Sequence, residues 1–363
     1  MTRGPVPSPV VWSTPLRTRF RGLDTRDGVL LRGDAGWGEL SPFWDYDDAE
    51  SAPWLRCARE AADVGWPAPV RSAVPVNVTV PAVGPEQARA IVLASGGCRT
   101  AKVKVAQRSL PGGASLHAVD GSRPGELEPV AAEVERVAAV REAFAELYGP
   151  GVGRIRVDAN GGWTVAEAVA HLREIDAAAG GLEYAEQPCA TVEELAALRR
   201  LVDVPVAADE SIRRASDPLR VVALDAADVV VLKVQPLGGV RACLDLAEQV
   251  GLPVVVSSAL ESSVGLAAGV ALAAALPELP YACGLATSQL FAHDVVADPL
   301  LPVDGALPVL PAGDPRLEPD AAALAGAAPS DAVRARWHDR AARLGALLDA
   351  APAVPSADRE GAR

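Results

Sequence analysis

The chain lacks a long uninterrupted apolar segment, although half of its residues are hydrophobic. Its most apolar stretch, residues 260–279, is interrupted by two glutamates and a proline, so it predicts a buried helix rather than a membrane span. The first residues are rich in proline and lack the continuous apolar core of a signal peptide. We therefore expect a cytoplasmic protein without a membrane partner.

The chain also has few cysteines and an excess of acidic over basic residues. The five cysteines lie far apart, form no CxxC pair and are odd in number, which argues against a disulfide framework and a cysteine zinc site. The 34 lysines and arginines face 47 acidic residues, for a net charge of −13. Such a charge disfavours nucleic acid and anionic membranes as partners, and it is compatible with a small-molecule carboxylate substrate only where the site itself is locally positive.

Lysine is the scarcest basic residue of all. Only Lys102, Lys104 and Lys233 are lysines, and the other basic residues are arginines. Arginine stays protonated in proteins, whereas the pKa of a buried lysine can be brought into the range that proton transfer requires. All three lysines lie at the ends of predicted strands, so we expect them to serve chemistry.

Short β-rich runs alternate with Ala- and Leu-rich helical segments through most of the chain. Residues 10–43 differ, because turn signals predict an antiparallel sheet there, followed by a helix over 47–63. Eight β-rich runs with helical spacers predict an α/β barrel of the TIM type. The predicted barrel strands are 76–80, 101–105, 155–158, 182–186, 206–209, 229–234, 254–257 and 281–285.

Acidic residues stand at the carboxyl ends of three consecutive predicted strands, and Lys233 ends the next one. They are Asp158, Glu186 and Asp209. Each lies about one strand–helix unit from the next, so the side chains are expected around one mouth of the barrel, where barrel enzymes carry out their chemistry. Carboxylates without histidine or cysteine suit a hard cation, which predicts a site for Mg²⁺ that Mn²⁺ can also fill.

Two neighbours of these carboxylates each have two interpretations. Asn160 either contacts the site or only turns the chain at Asn160-Gly161-Gly162. Glu210 either orients a metal ligand or a lysine, or only starts a helix.

The lysines are expected on two sides of the predicted metal. Lys102 and Lys104 alternate on one strand and project to the same face, whereas Lys233 lies across the barrel. Arg156, on the strand of Asp158, is expected either to disfavour the charged form of Lys104 or to pair with a barrel carboxylate. The arrangement predicts that the metal holds a substrate carboxylate and stabilises an enediolate when Lys104 removes the α-proton.

The segments KVK, RVDANGGW, EYAEQP, AADES and VLKVQPLGG together resemble the muconate-lactonising subgroup of the enolase superfamily. The resemblance implies that Asp158, Glu186 and Asp209 bind the metal, that Lys104 is the acid/base, and that Lys233 acts from the opposite face. It also implies a (β/α)7β TIM barrel with an α+β capping domain. The implied division is 1–73 for the N-terminal cap, 74–290 for the barrel, 291–350 for a C-terminal segment on barrel and cap, and 351–363 for a disordered tail.

Within that subgroup, GWGELSPF, the arginine of RVDANGGW, SSALESSVGLAAG and CGLATSQLF resemble the o-succinylbenzoate synthases. This implies a Mg²⁺-dependent syn-dehydration of 2-succinyl-6-hydroxy-2,4-cyclohexadiene-1-carboxylate to 2-succinylbenzoate, a hydro-lyase reaction of menaquinone biosynthesis. Lys104 would remove the proton and then protonate the departing hydroxyl, with Lys102 as a supporting group. Ser262 and Ser263, where a helix begins, would either receive the succinyl carboxylate or act as ordinary N-caps.

The same metal and lysines would also serve an N-acylamino acid racemase, a dipeptide epimerase or a muconate cycloisomerase, because Lys104 and Lys233 can act on both faces of a substrate. No DxD follows the eighth strand, where dipeptide epimerases hold the substrate amine, and Asp294 and Asp298 have the wrong spacing. A barrel that has lost catalysis is disfavoured, since every expected ligand and base is present. The oligomeric state stays open.

Overall fold

The computed structural model of the protein describes residues 9–109, 123, 125–215 and 217–350. The predicted tail, 351–363, lies outside the described residues. A seven-stranded parallel sheet forms the centre of the fold, and a three-stranded antiparallel sheet lies over one end of it. In the part of the chain described, no helix has the length and apolar character that a membrane crossing requires.

The N-terminal sheet is an antiparallel meander, as predicted. Its first two strands are joined at Arg21 and Gly22, whose φ angles of 55° and 74° match a tight hairpin turn. Trp12 and Leu30 are fully buried in an apolar cluster that also contains Leu260 of the barrel. The three strands are Val10–Phe20, Leu23–Arg32 and Trp37–Leu40.

Two helices complete this capping unit. The first, Asp48–Arg59, continues into one π-helical turn, Glu60–Val64. The second, Asp331–Ala350, packs against the first and buries Trp337 at the edge of the N-terminal sheet. This helix thus brings the last described residues of the chain back to the N-terminal sheet.

The barrel strands run parallel and in the order of the sequence, so neighbours in the chain are neighbours in the sheet. Their apolar residues, such as the continuous run of the sixth strand, are buried on both faces, as expected of a parallel sheet covered by helices. The first to seventh barrel strands are Val78–Val80, Thr100–Lys104, Arg154–Asp158, Leu182–Glu186, Val206–Ala208, Val229–Leu232 and Val254–Val256.

The eighth position of the barrel is filled by a segment without a regular strand. Cys283 forms a parallel bridge with Val76, before the first barrel strand, and Gly284 forms one with Ser257, after the seventh. These bridges close the sheet on itself. The closure confirms a TIM-type barrel, with the eighth predicted strand reduced to isolated pairings.

Helices between the strands cover the outside of the barrel. Capping boxes start two of them, because the side chains of Thr164 and Thr191 accept hydrogen bonds from the backbone three residues later. The longer helices are Pro85–Leu93, Val130–Tyr148, Val165–Ala179, Val192–Arg199, Val240–Val250 and Ser263–Ala275. The shorter helical pieces are Glu210–Arg213, Arg220–Ala223, Val234–Leu237, Thr287–Leu290, Pro315–Leu317 and Ala321–Gly326. Short antiparallel pairs are formed by Ala73–Pro75 with Ala306–Pro308 and by Arg108–Ser109 with Glu126–Leu127.

Candidate active site

The strand register brings the predicted functional residues to one end of the barrel. Lys104 is paired with Asp158 across the second and third strands, and Asp158 is paired with Glu186 across the third and fourth. Asp209 and Lys233 directly follow the fifth and sixth strands. Because the strands are parallel, these positions share one mouth, as the sequence predicted.

A cavity of about 490 Å³ opens at this mouth, beneath the hairpin turn of the N-terminal sheet. Charged side chains of the barrel form its floor, and the capping unit contributes aromatic and arginine side chains to its rim. The floor includes Lys102, Lys104, Asp158, Asn160, Arg213 and Lys233, and the rim includes Arg19, Phe20, Arg21 and Phe43.

Each lysine contacts a member of the carboxylate cluster, which consists of Asp158, Glu186 and Asp209. The Lys104 Nζ donates to Asp158 Oδ2 at 2.6 Å, and the Lys233 Nζ donates to Asp209 Oδ2 at 2.5 Å. The Lys102 Nζ lies 2.7 Å from Glu186 Oε1 and 3.1 Å from Asp158 Oδ2. Lys104 and Lys233 therefore approach the carboxylates from different strands on two sides of the cavity.

The lysines of the second strand differ in their electrostatics. Burial, together with the neighbouring Lys102 cation, lowers the pKa of Lys104 even though Asp158 opposes the shift. Burial also acts to lower the pKa of Lys102, but Glu186 and Asp158 outweigh it and raise that pKa. Lys102 is thus a permanent cation, and its charge favours the neutral form of Lys104 that a base requires.

The pKa values of the carboxylates are shifted in different directions. Burial opposes ionisation of Asp158 and Asp209, yet the neighbouring cations hold the pKa of both below the usual range. Burial and the Asp158 charge raise the pKa of Glu186 to about 7. Glu186 is 1% exposed, and its Oε2 has no hydrogen-bond partner among the described residues.

The donor atoms of these carboxylates are of the chemical kind that a hard divalent cation prefers. The lone Oε2 of Glu186 is a buried acceptor beside two further carboxylates, and oxygen donors of this kind are the preferred ligands of Mg²⁺. In the present arrangement lysines and Arg213 occupy oxygens of Asp158 and Asp209, and no three His, Cys, Asp or Glu residues in the described ranges stand close enough together to enclose a metal. Metal binding would therefore displace the lysines from Oδ2 of Asp158 and of Asp209, whereas Arg213 contacts the other oxygen, Asp209 Oδ1.

Asn160 and Glu210 each have a local structural role and also take part in contacts at the site. Asn160 has a φ of 47° and turns the chain, and its Oδ1 also accepts a hydrogen bond of 2.6 Å from Lys104. Its Nδ2 donates to Glu210 Oε1 at 3.1 Å. Glu210 begins a short helix and, through Asn160, is connected to Lys104.

Arg156 pairs with a barrel carboxylate, the second of the two interpretations that the sequence left open. Its fully buried guanidinium donates to Glu183 Oε2 at 2.8 Å, to the Tyr184 hydroxyl at 2.8 Å and to the Ala282 carbonyl at 2.8 Å. The alternative, a structural ion pair inside the barrel, is confirmed. Burial and the neighbouring Lys102 cation lower the pKa of Lys104, and the side chain of Arg156 reaches Glu183.

Ser262 and Ser263, for which the sequence left two interpretations, are not among the residues that line the cavity. Both are fully buried and outside the cavity lining, and protein carboxylates occupy their donors. Ser262 donates from its backbone N to Glu39 Oε2 at 3.1 Å and from its hydroxyl to the same oxygen, while the Ser263 hydroxyl donates to Asp294 Oδ2 at 2.7 Å. A substrate carboxylate is not needed at this helix N-terminus, because the carboxyl oxygens of Glu39 and Asp294 already accept its hydrogen bonds.

Sequence reasoning missed Glu39 and Arg213. Glu39 lies in GWGELSPF, and Arg213 lies one helical turn after Asp209, to which its Nε donates at 2.9 Å. The spacing of Asp209 and Arg213 was the available signal, since side chains four residues apart on a helix can pair. For Glu39 the sequence carried no signal of its partner, which is more than 200 residues away.

Glu39 makes a testable contribution to the pH dependence of stability. Burial raises its pKa to about 7 from an ordinary 4.5, although hydrogen bonds from Ser262 and Ser41 oppose the shift. The folded protein thus holds this proton more tightly than the unfolded chain, and its contribution to stability is lost as the pH rises from about 4.5 to about 7. Relative to Glu39→Gln, the wild-type free energy of unfolding should fall by about 3 kcal/mol across this window.

Urea unfolding of both proteins at pH 4.5, 6 and 7.5 measures this difference. Glu86→Gln, at an exposed glutamate, is the matched control and should leave the pH dependence of stability unchanged. A wild-type-minus-Glu39→Gln difference that stays constant with pH would contradict the raised pKa.

Family models match both parts of the chain. Residues 85–314 match the model described as enolase C-terminal domain-like, and residues 11–62 match the one described as enolase N-terminal domain-like. An o-succinylbenzoate synthase of Thermobifida fusca is 63% identical over 298 residues, covering 82% of this chain and 86% of that protein. One of Mycolicibacterium smegmatis is 51% identical over 338 residues, covering 93% and 95%.

Solved structures agree on the architecture. A muconate lactonizing enzyme from Pseudomonas fluorescens, complexed with muconolactone, superposes with a TM-score of 0.68 at 22% identity, covering 87% of this chain and 96% of that one. The L-Ala-D/L-Glu epimerase from Bacillus subtilis superposes with a TM-score of 0.67 at 20% identity, covering 89% and 98%. At such identity the likeness establishes the fold alone.

Proposed function

Because this chain belongs to the enolase superfamily, and within it to the family of the o-succinylbenzoate synthases, we propose that it dehydrates 2-succinyl-6-hydroxy-2,4-cyclohexadiene-1-carboxylate to 2-succinylbenzoate. We propose further that the reaction depends on Mg²⁺, follows a syn course and belongs to menaquinone biosynthesis. The observation that carries the chemistry is the pair of lysines, Lys104 and Lys233, on two sides of one carboxylate cluster.

Lys104 is the base and then the acid. Its amine takes the proton from the ring carbon that bears the carboxylate, and the electrons of that C–H bond pass into an enediolate. The resulting ammonium donates the proton to the hydroxyl on the neighbouring carbon, the C–O bond breaks, and water leaves. The lowered pKa of Lys104 supports the first step, and the same amine serves the second because both groups lie on one face of the ring.

Lys233 and the carboxylates support this transfer. From its own side of the cavity, the Lys233 ammonium is placed to stabilise negative charge on the planar intermediate. Asp158, Glu186 and Asp209 would hold the Mg²⁺, which when bound supplies positive charge for the oxygens of the substrate carboxylate. Lys102 keeps its charge beside them and holds Glu186 in place.

The substrate carries a second carboxylate, on its succinyl arm, and the cavity offers several groups for it. Ser258 and Thr287 share a hydrogen bond of 2.6 Å at the wall, and Arg21 lines the rim over the Phe43 ring at 3.9 Å. These groups replace Ser262 and Ser263 as the candidates, since they face the cavity.

Incubation of the purified protein and Mg²⁺ with the cyclohexadiene carboxylate tests the proposal. We expect its absorbance to fall as 2-succinylbenzoate forms, at a rate proportional to enzyme concentration. N-succinyl amino acids and dipeptides are measured beside it, because two lysines on opposite sides also suit racemisation. Fast racemisation without dehydration would overturn the assignment in favour of an N-acylamino acid racemase.

A further inference from the structure

A continuous chain of hydrogen bonds connects the two lysines around the carboxylate cluster. From Lys104 it runs through Asn160 to Glu210, at 2.6 Å and 3.1 Å. From Lys233 it runs to Asp209 at 2.5 Å. One side chain, Arg213, joins the two halves.

Arg213 contacts three partners with three nitrogens. Its Nε donates to Asp209 Oδ1 at 2.9 Å, one terminal nitrogen donates to Glu210 Oε1 at 2.5 Å, and the other donates to the Tyr46 hydroxyl. The side chain is 3% exposed and borders the cavity. A planar guanidinium fixes the directions of all its donors, so these three partners are held in one relative geometry.

Tyr46 belongs to the capping unit, whereas the other partners belong to the barrel. Its ring packs against Phe43 and Trp54 at centroid distances of 5.9 Å and 5.8 Å. The neighbouring Arg214 adds to this junction, because it stacks on the Tyr46 ring and pairs with Glu50 of the first helix at 2.8 Å. Through Tyr46 and Arg213, the cap is therefore connected to Asp209, the carboxylate that Lys233 contacts.

We propose that Arg213 is a positioning residue that orients Asp209 for Mg²⁺ and for Lys233, and that the Tyr46 hydroxyl makes this orientation depend on the cap. The inference rests on the proposed function, because it takes Asp209 as a metal ligand. In this role Arg213 acts through Asp209 and Glu210, whose oxygens it contacts.

If Arg213 acted only through its charge, its removal would change the Mg²⁺ affinity in the direction opposite to that expected for a positioning residue. Arg213 is a cation beside a ligand of a cation, so removal of its charge alone would strengthen Mg²⁺ binding. Loss of positioning would weaken it, typically by 10- to 100-fold for a group that orients a metal ligand. The sign of the change in affinity therefore separates the two roles.

Calorimetric Mg²⁺ titration of the full chain, without substrate, provides the test. We expect Arg213→Met to raise the Mg²⁺ Kd by roughly 10- to 100-fold. Arg213→Lys keeps the charge but not the three-way geometry, and should weaken binding similarly. Tighter binding by Arg213→Met with wild-type binding by Arg213→Lys would overturn the proposal.

Tyr46→Phe keeps the ring packing and carries the test if the Arg213 variants do not fold. It should raise the Mg²⁺ Kd by roughly tenfold. Tyr184→Phe is its matched control, because it also removes a buried hydroxyl that accepts from an arginine, at 2.8 Å from Arg156, but that arginine contacts no carboxylate of the cluster. Equal effects of the two substitutions would overturn the role of the cap.

The titration separates this inference from the proposed reaction. If the wild type leaves the cyclohexadiene carboxylate unchanged while Tyr46→Phe and Arg213→Met still weaken Mg²⁺ binding, the reaction fails and the positioning role stands. If the wild type dehydrates the substrate while the variants bind Mg²⁺ as it does, the reaction stands and the positioning role fails.

Discussion

Lys104→Arg is expected to lower kcat for dehydration by roughly 10³-fold or more, since it removes the group that acts first as base and then as acid. The substitution keeps a positive charge in the cavity, so a loss of this size distinguishes proton transfer from electrostatic attraction of the substrate. KM should change far less than kcat, because Lys102 and Lys233 remain at the floor. Steady-state kinetics with saturating Mg²⁺ measures both constants.

Chemical rescue offers a sharper control for the same residue. Lys104→Cys should be as inactive as Lys104→Arg, and aminoethylation of the new thiol restores a primary amine of nearly the same length. The five native cysteines are all buried, so treatment of the folded protein should modify mainly the cavity. Recovery of activity in the variant, with no change in identically treated wild type, is the expected result. A Lys104→Arg enzyme that keeps more than about a tenth of the wild-type kcat would exclude Lys104 as the base.

Glu186→Gln is expected to abolish the response of the protein to Mg²⁺. A ligand that binds only the folded state stabilises it by RT ln(1 + [L]/Kd), about 4 kcal/mol when the metal is at a thousand times its Kd. Mg²⁺ should therefore raise the Tm of the wild type, and EDTA should reverse the rise and stop dehydration. The variant keeps the size of the side chain but loses its charge, so its Tm should not respond.

Glu183→Gln, on the same strand, is the matched control. Glu183 pairs with Arg156 and not with the lysines, so its loss should lower the Tm while the rise on adding Mg²⁺ remains. If Glu186→Gln responded to Mg²⁺ like the wild type, the predicted metal ligands would be wrong, whatever the activity of the enzyme.

The two predictions are linked by the contacts at the floor of the cavity. The Oδ2 atoms of Asp158 and Asp209, which we propose hold Mg²⁺, here accept hydrogen bonds from Lys104 and Lys233. Binding of the metal would release Lys104 from Asp158, and the amine would lose the contact that opposes its deprotonation. Metal occupancy and the reactivity of the base are thus expected to rise together.

Much of the barrel and of its mouth follows from local patterns. Continuous apolar runs such as Val229–Leu232 predict strands buried on both faces, and the structure confirms them. In a parallel sheet built in chain order, the last residue of each strand lies at the same edge. The placement of Asp158, Glu186 and Asp209 side by side therefore required only that their strands be recognised.

The scarcity of lysine was equally informative. A composition that replaces lysine with arginine nearly everywhere marks the remaining three as chemically distinct, and the structure brings all three to the cavity. Which of them is the better base was not readable, because it depends on relative burial and on neighbours. Lys102 lies between two carboxylates and keeps its proton, whereas the pKa of Lys104 is lowered.

The sequence did not predict the partners of residues that pair with distant parts of the chain. From the sequence, Ser262 could have bound a substrate carboxylate, but in the structure it donates to Glu39. Arg156 could likewise have affected Lys104, but in the structure it pairs with Glu183. Arg213 is shared between the barrel and the cap, since it contacts Tyr46 as well as Asp209.

Sequence patterns thus sufficed for the barrel, the row of carboxylates and the candidate lysines, because strand periodicity and strand ends are local properties. The partner of each charged side chain could be identified only from the tertiary structure. A buried arginine or glutamate takes the partner that satisfies most of its hydrogen bonds. That partner is determined by packing between segments hundreds of residues apart, as for Glu39 and Ser262, and no local pattern records it.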